Sequence, residues 1–372
     1  MRILIVDTDY RWFLDWLYAQ HPGLDSEDYE QQMQVRLESQ FSCGGSYPAN
    51  LRKLGYEAYQ VFVNNESLQT AWAREHALKI DTGPRWQFRL RRGLVPWFSR
   101  AQDDRWLYEI LSAQIKHYQP DVLLNNDMHL STAYFQQIKP CVRLLMGSHG
   151  SPLPADRNFG VYDLVLSVVQ NFVDYFRGQG VNSELLRLAF EPAVLEKLNG
   201  SKRSTPISFV GQLSRHHAFR QRWLEYICER LPVEVWAPSA DGLSDGSPVK
   251  RCYRGTVWGL DMYTVLHQSL MTLNHHIDVA GAYAGNLRLF EATGVGTLLV
   301  TDWKKNLHEM FEPGKEVVSY RTDEECAEVV QYYLEHDEER EAIARAGQQR
   351  TLRDHTYYNR MQEFADIVQK YL

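Results

Sequence analysis

The chain has 372 residues, 44% of them hydrophobic, and a net charge of −7 from 40 basic and 47 acidic side chains. That length suffices for two ordinary cores or one large one, and the composition excludes a disordered, collagen-like or low-complexity chain. The acidic balance excludes a general nucleic-acid binder unless its charge is segregated.

Arg2 to Val6 is a short continuous apolar run of the kind that fills the centre of a parallel sheet. Interrupted at Asp7 and Asp9, it is too short for a signal peptide. Similar runs at Ala58–Val63, Val122–Leu124, Val142–Met146, Leu164–Val168 and Leu185–Leu188 predict further strands. Helical spacing over Tyr47–Leu54, Leu68–Leu78, Trp106–Tyr118 and Phe172–Arg177 predicts the helices between them. Strands that alternate with helices imply a parallel sheet with crossover helices.

The polar, breaker-rich stretch Asn199 to Pro206 reads as a linker. Beyond it the alternation restarts, with strands at Ile207–Val210, Val233–Trp236, Leu270–Leu273 and Thr297–Thr301 and helices at Arg220–Arg230, Leu260–Gln268 and Leu287–Thr293. Helices near Glu324–Glu335, Glu338–Arg353 and Tyr357–Tyr371 close the chain. The expected organisation is a first domain over 1–198, a linker at 199–206, a second domain over 207–355, and a last helix at 356–372 returning towards the first. Two doubly wound α/β domains would then face each other across a cleft, where ligands sit at the carboxyl ends of strands.

The cysteines Cys43, Cys141, Cys228, Cys252 and Cys326 are scattered and never form Cys-x-x-Cys. Neither a zinc knuckle nor a disulfide framework is indicated, and a reducing compartment fits best. No stretch approaches about twenty uncharged residues. These features predict a soluble, cytoplasmic protein.

The most informative stretch starts at Asn274-His275-His276-Ile277-Asp278 and ends in Asn286-Leu287-Arg288-Leu-Phe-Glu291-Ala-Thr-Gly294. Asn286 is placed to cap a helix beginning at Leu287, whose positive end makes an anion site. Arg288 in the first turn adds a charged fork suited to phosphate. Glu291 shares a helix face with Arg288 and could accept hydrogen bonds from sugar or ribose hydroxyls; the same spacing also fits a solvated ion pair. His275 and His276, with Asp278, invite a metal. Adjacent histidines on a strand point to opposite faces, however, and no third ligand is spaced to complete the site, so a histidine touching a bound substrate is the better reading. Asp7-Thr8-Asp9 looks like the metal motif of a different transferase fold, but it stands at a strand end where polar residues are expected anyway.

On the first-domain side, His149 in Met146-Gly-Ser-His-Gly-Ser-Pro152 is expected in a glycine-flanked loop after a strand, where it could take or share an acceptor's proton. A loop histidine bonded to backbone is the plain alternative. Asp127 and His129, at another strand exit, form a competing acid/base set. The segment from Arg85 to Arg100 carries five arginines and no acid, interleaved with Trp86, Phe88, Trp97 and Phe98. It could lie at a membrane interface or stack on an acceptor sugar, or its rings could simply pack under a solvated arginine face.

From Asn286 to Met361 the chain resembles the C-terminal domain of glycosyl transferases group 1, in particular the branch of spore-maturation-type glycosyltransferases. The matching pieces are Asn286-Leu-Arg-Leu-Phe-Glu-Ala-Thr-Gly, Gly296-Thr-Leu-Leu-Val-Thr-Asp302, Leu307 to Gly314, Glu316-Val-Val-Ser-Tyr320 and His355-Thr-Tyr-Tyr-Asn-Arg360. A weaker resemblance extends to Ala49–Tyr56 and Asn65–Trp72. It implies a GT-B architecture, two Rossmann-like domains with a nucleotide sugar bound mainly by the second and the acceptor by the first. By position Glu291 inherits the contact to the donor's ribose. Many retaining relatives carry another Glu eight residues earlier, where this sequence has Tyr283. Relatives also place basic residues after the first strand of the second domain, against the donor diphosphate. After Gly211 the nearest candidates are Arg215 and Arg220, the latter equally readable as a surface helix residue.

The sequence thus predicts a metal-independent glycosyltransferase without a cofactor. It would move a sugar from a nucleotide diphosphate donor, such as a UDP-sugar, to a hydroxyl on a glycan, lipid-linked or protein acceptor. Its expected donor residues are Gly211, Arg215, Arg220, His275, Asn286, Leu287, Arg288 and Glu291, with His149 and Asp127 as catalytic candidates. A nucleotide-sugar epimerase of the same fold and a non-catalytic sugar-nucleotide or glycan-binding module are the rivals.

Overall fold

The computed structural model describes the chain apart from residues 43, 84, 92–94, 102–103, 127, 151–157, 199, 201–202, 214–217 and 278–279, with backbone alone for residues 85–91, 95–101 and 218. Its first half contributes β1 (Arg2–Asp7), β2 (Glu57–Phe62), β3 (Arg85–Arg91), β4 (Val95–Ala101), β5 (Val122–Asn125), β6 (Leu144–His149), β7 (Leu164–Ser167) and β8 (Ser183–Leu185). Strands β3 and β4 make an antiparallel ribbon, with Phe88 opposite Phe98 and Arg89 opposite Trp97. The other six form one sheet in the order β2-β1-β5-β6-β7-β8, with every pairing parallel. In β1 the four residues Ile3 to Val6 are fully buried, because a central parallel strand is covered on both faces.

The second half repeats the plan with β9 (Thr205–Val210), β10 (Val233–Trp236), β11 (Tyr253–Gly255), β12 (Ser269–Asn274), β13 (Leu298–Asp302) and β14 (Val318–Tyr320). Their order is β11-β10-β9-β12-β13-β14, again wholly parallel. Each sheet therefore reverses its direction of winding once, between β1 and β5 in the first and between β9 and β12 in the second. At such switch points the loops diverge and leave a crevice at the carboxyl ends.

Side chains alternate across the first sheet. Leu4 and Val6 join a core with Trp106, Ile110 and Phe135, while Ile3 and Ile5 face the opposite way. That second face is covered partly by the last helix of the chain, Tyr357–Tyr371, through Tyr357, Met361, Phe364 and Val368. Thr356 and Asn359 form a capping box that starts the helix. Backbone bonds from Phe190 N to His355 O and from Tyr357 N to Phe190 O, both 2.9 Å, tie its entry to the end of the first half.

Several expected boundaries move. Strand β9 begins at Thr205, inside the stretch expected as linker; Pro206 is tolerated near a strand start, where its missing N–H costs little. The strand expected at Leu185–Leu188 lies earlier, as β8. Two helices, Arg11–Gln20 and Tyr29–Glu38, and the β3–β4 ribbon were not anticipated. Helix Arg11–Gln20 helps join the halves: its Phe13 and Leu17 pack with Trp258, and Leu260 N donates to Ser39 O at 2.8 Å. Gly259 adopts φ +50, and a Cβ there would stand 1.9 Å from Ser39 O. Among the described residues no helix is long and apolar enough to cross a membrane.

Candidate active site

The carboxyl ends at the β9/β12 switch point enclose a pocket of about 230 Å³. Gly211 leaves β9 so close to Phe209 that a Cβ would meet the ring at 3.1 Å. Across the pocket stands the helix Arg288–Gly294. Arg288 Nη1 pairs with Glu291 Oε2 at 2.9 Å and Nη2 donates to Val210 O at 3.2 Å. The pair exists, as the i,i+3 spacing allowed, but its side chains are only 12% and 6% exposed, so it is not the solvated pair of the plain reading. Burial raises the Glu291 pKa, and the charge of Arg288 opposes that shift.

The Asn286 cap is not formed. The helix starts at Arg288 with Leu287 in the cap position and no side-chain cap bond. Asn286 instead exchanges side-chain amide bonds with Asn274 at the end of β12, Nδ2 to Oδ1 at 2.7 Å and the reverse at 3.4 Å. A tertiary partner thus takes the side chain that local geometry had assigned to the helix. Asn286 and Leu287 line both this pocket and the larger cleft beside it.

That cleft, about 520 Å³, opens between the two sheets. Arg220 lines it and the smaller pocket alike, which sets a cation where the two meet. It is no surface residue: 8% exposed, it donates to His275 O from Nε at 3.0 Å and Nη2 at 2.7 Å. His275 itself stacks on Trp223 with ring centroids 5.0 Å apart, and burial lowers its pKa, which keeps the ring neutral. His276 turns to the cleft, with Nδ1 2.6 Å from Asp302 Oδ1, while Gly285 N donates to Nε2 at 3.4 Å. Against the burial that would raise it, His276 and Lys304 hold the Asp302 carboxyl below its usual range. Arg215 and Asp278 lie outside the described residues.

The first domain supplies the opposite wall. His149 is the last residue of β6 rather than a loop residue, 4% exposed, with its ring 5.2 Å from Phe172 and 6.0 Å from Phe176. His129 also lines the cleft, and Asp127 lies outside the described residues. Asp7, passed over as a strand-end residue, lines the cleft at the β1/β5 switch point. Its Oδ1 accepts from Asn126 Nδ2 at 2.7 Å and its Oδ2 from Gln60 Nε2 at 2.5 Å. Burial lifts its pKa to about 6, with Asp9 adding to the rise and the two amides opposing it. Asp9 is instead neutralised by Arg36 through bonds of 2.6 and 2.8 Å. The acidic spacing was visible in the sequence; the difference in partners was not.

The walls come close at Gly285. A Cβ on Gly285 would meet Val169 Cγ1 at 2.6 Å and Val168 O at 2.7 Å. Tyr283, where relatives carry Glu, packs against the first domain's core and carries Lys305 Nζ 3.9 Å above its ring. The position that is acidic in those relatives therefore presents a cation–π pair.

Two parallel sheets whose switch points open onto one cleft define a GT-B protein, and solved structures share this architecture over the whole chain. HepE from Anabaena, solved with UDP-glucose, is 12% identical, with 100% of both chains covered and a TM-score of 0.60. Sucrose-phosphate synthase from Thermosynechococcus elongatus is 10% identical, covering 100% of this chain and 98% of its own, with a TM-score of 0.59. The lipopolysaccharide outer core galactosyltransferase WaaB, in its apo form, is 12% identical over 100% of both chains, with a TM-score of 0.55. No curated protein matches by sequence. Residues 215–366 match the glycosyl transferase-like family, and the whole chain shares the fold of these GT-B proteins.

Proposed function

We propose that the protein transfers a sugar from a uridine diphosphate donor to a hydroxyl-bearing acceptor without a metal ion. The observation that carries this reading is the position of Arg220, a cation common to the switch-point pocket and the interdomain cleft. A diphosphate laid between the two would meet Arg220 and Arg288, and leaving-group charge would develop beside fixed guanidinium groups; Arg215, outside the described residues, is the further candidate. Gly211 and Leu287 give the nucleotide close backbone, Glu291 accepts from its ribose, and His275 and Asn286 shape the floor. The complexes of HepE with UDP and UDP-glucose support the choice of nucleotide. His149, with Phe159, Phe172 and Phe176 around it, forms the acceptor wall with His129, and Asp127, outside the described residues, stays a candidate beside them. Free thiols at Cys141, Cys228, Cys252 and Cys326 fit a cytoplasmic setting. The β3–β4 ribbon, arginine-rich and without acid, is the part we assign to an anionic membrane surface, to be tested by vesicle cosedimentation.

The test is a thermal-shift panel of nucleoside diphosphates and their sugars in EDTA, followed by assay of nucleotide release with glycan, lipid and peptide acceptors. UDP should raise the melting temperature, since a ligand of the native state stabilises it by mass action. Binding without release of UDP would favour the non-catalytic module, and conversion of the donor without any acceptor would favour an epimerase. Release that is lost in EDTA and restored by magnesium would overturn metal independence.

A further inference from the structure

Two carboxylates leave β1 two residues apart, and their surroundings divide them. Asp9 is 4% exposed and forms a bidentate pair with Arg36, which itself lies over Phe62 at 4.1 Å. That charge is fully spoken for. Asp7 makes no ion pair among the described residues; each of its oxygens accepts one neutral amide, from Asn126 and from Gln60. A carboxylate oxygen has room for about two such bonds, so each keeps a lone pair for a further proton. One amide comes from within β2 and the other from the residue that follows β5, and together they fix the plane of the group where it meets the cleft.

We infer that Asp7 is the base that removes the proton from the acceptor hydroxyl. The inference rests on the transferase reading above. In the step, the acceptor O–H proton passes to an Asp7 oxygen and the acceptor oxygen's electron pair forms the new bond to the sugar's anomeric carbon. The bond from that carbon to the diphosphate breaks, and its pair leaves on the phosphate facing Arg220 and Arg288. Asp7 stands on the first-domain wall, across the cleft from Asn286, His276 and Arg220, so proton acceptance and leaving-group stabilisation fall on opposite sides. Its raised pKa, about 6, leaves a carboxylate that is ionised near neutrality yet more basic than an ordinary aspartate. His149, with three phenylalanine rings within 6.5 Å, is the less accessible rival.

The groups that face Asp7 and bear on its titration are Asp9 and Arg36 behind it, and His129, His149, His276 and Arg220 around the cleft. The experiment compares wild type, Asp7→Asn and His149→Ala. It uses the sugar nucleotide that wild type turns over fastest and two acceptors: a p-nitrophenyl glycoside, whose hydroxyl must lose a proton, and azide, an anion that needs no base. For Asp7→Asn we expect kcat with the glycoside to fall about 10²- to 10⁴-fold, the range of a positioned proton-transfer group. Transfer to azide and the donor-induced thermal shift should stay within a few-fold of wild type. The acidic limb of the wild-type pH profile, with activity gained as pH rises through about 6, should vanish.

Glycoside transfer retained by Asp7→Asn overturns the assignment. So does equal loss with both acceptors, which would mean a structural role, or loss of the acidic limb in His149→Ala instead. Carbon-13 NMR of labelled aspartate gives a reading that needs no turnover: the carboxyl assigned to Asp7 should titrate near 6, and full ionisation at pH 4.5 would overturn the inference even were the variant to misfold. A wild-type protein inert towards every donor would overturn the transferase reading, and the inference with it.

Discussion

Arg288 and Glu291 face each other across one helical turn at 2.9 Å, with almost no water around either side chain. A buried pair is asymmetric: removing one member strands the other's charge, whereas removing both leaves little to strand. Arg288→Ala should therefore destabilise the fold by about 3–5 kcal/mol, and adding Glu291→Gln should recover part of that loss, as urea unfolding would show. At the donor site, Arg288→Ala should weaken UDP about ten- to a hundredfold while leaving uridine nearly unchanged. Equal weakening of both ligands would remove Arg288 from the phosphates.

Asp7 also makes stability depend on pH. Its folded pKa, about 6, lies above the ordinary 3.8, so between those values the folded chain holds more proton than the unfolded one. The stabilisation is complete below about pH 4 and is lost as pH rises through 6. Each unit corresponds to about 1.4 kcal/mol; because the side chain keeps some solvent contact, about 1–2 kcal/mol is the reasonable expectation. Asp7→Asn should accordingly unfold at higher urea than wild type at pH 7.5, with the advantage shrinking towards pH 4.5. A variant less stable at both pH values would contradict the shift.

Gly285 is a close contact between the cleft walls. With Val168 O and Val169 Cγ1 less than 3 Å from any added Cβ, Gly285→Ala has to push the two loops apart. Turnover should drop at least about tenfold, since small misplacements are costly in an oriented reaction, while far-UV circular dichroism stays unchanged. Wild-type turnover in this variant would show that the walls need not meet for catalysis.

Gly259 tests the joint between the halves. Its positive φ and its closeness to Ser39 O leave no room for a side chain, and the adjoining Leu260 N–H bond to that oxygen would be lost as well. Gly259→Ala should cost about 2 kcal/mol or more. Phe41 packs on Phe13 at 4.0 Å and also lines the switch-point pocket proposed for the nucleotide, so the affinity for UDP should fall with it. Unaltered UDP affinity would uncouple the joint from the pocket.

The alternation of strands and helices was legible because buried parallel strands are unbroken apolar runs, as in Ile3–Val6 and Leu298–Val300. Helix Tyr29–Glu38 was not, because the face it buries carries Gln32 and Arg36, and a polar face leaves no apolar period to read. The spacing of Arg288 and Glu291 was visible in the chain, but their burial depends on β9 and on Met262, far away in sequence. Asn286 looked like a cap because only the fold brings Asn274 within reach. Asp7 was hidden for the same reason: Gln60 and Asn126 give it its character, and they lie 53 and 119 residues along the chain.

The helix Tyr357–Tyr371 closes the first sheet from beyond the whole second half of the sequence. As the chain emerges from a ribosome, β1 to β8 come out before that helix, and the face bearing Ile3, Ile5, Val122 and Leu124 keeps an apolar strip uncovered until the helix is made. The second sheet also draws on the first half, through Phe190 and Val194, but those residues are made before it. Nascent chains therefore expose an apolar surface until that helix is made, and stalled products lacking it should aggregate or be degraded.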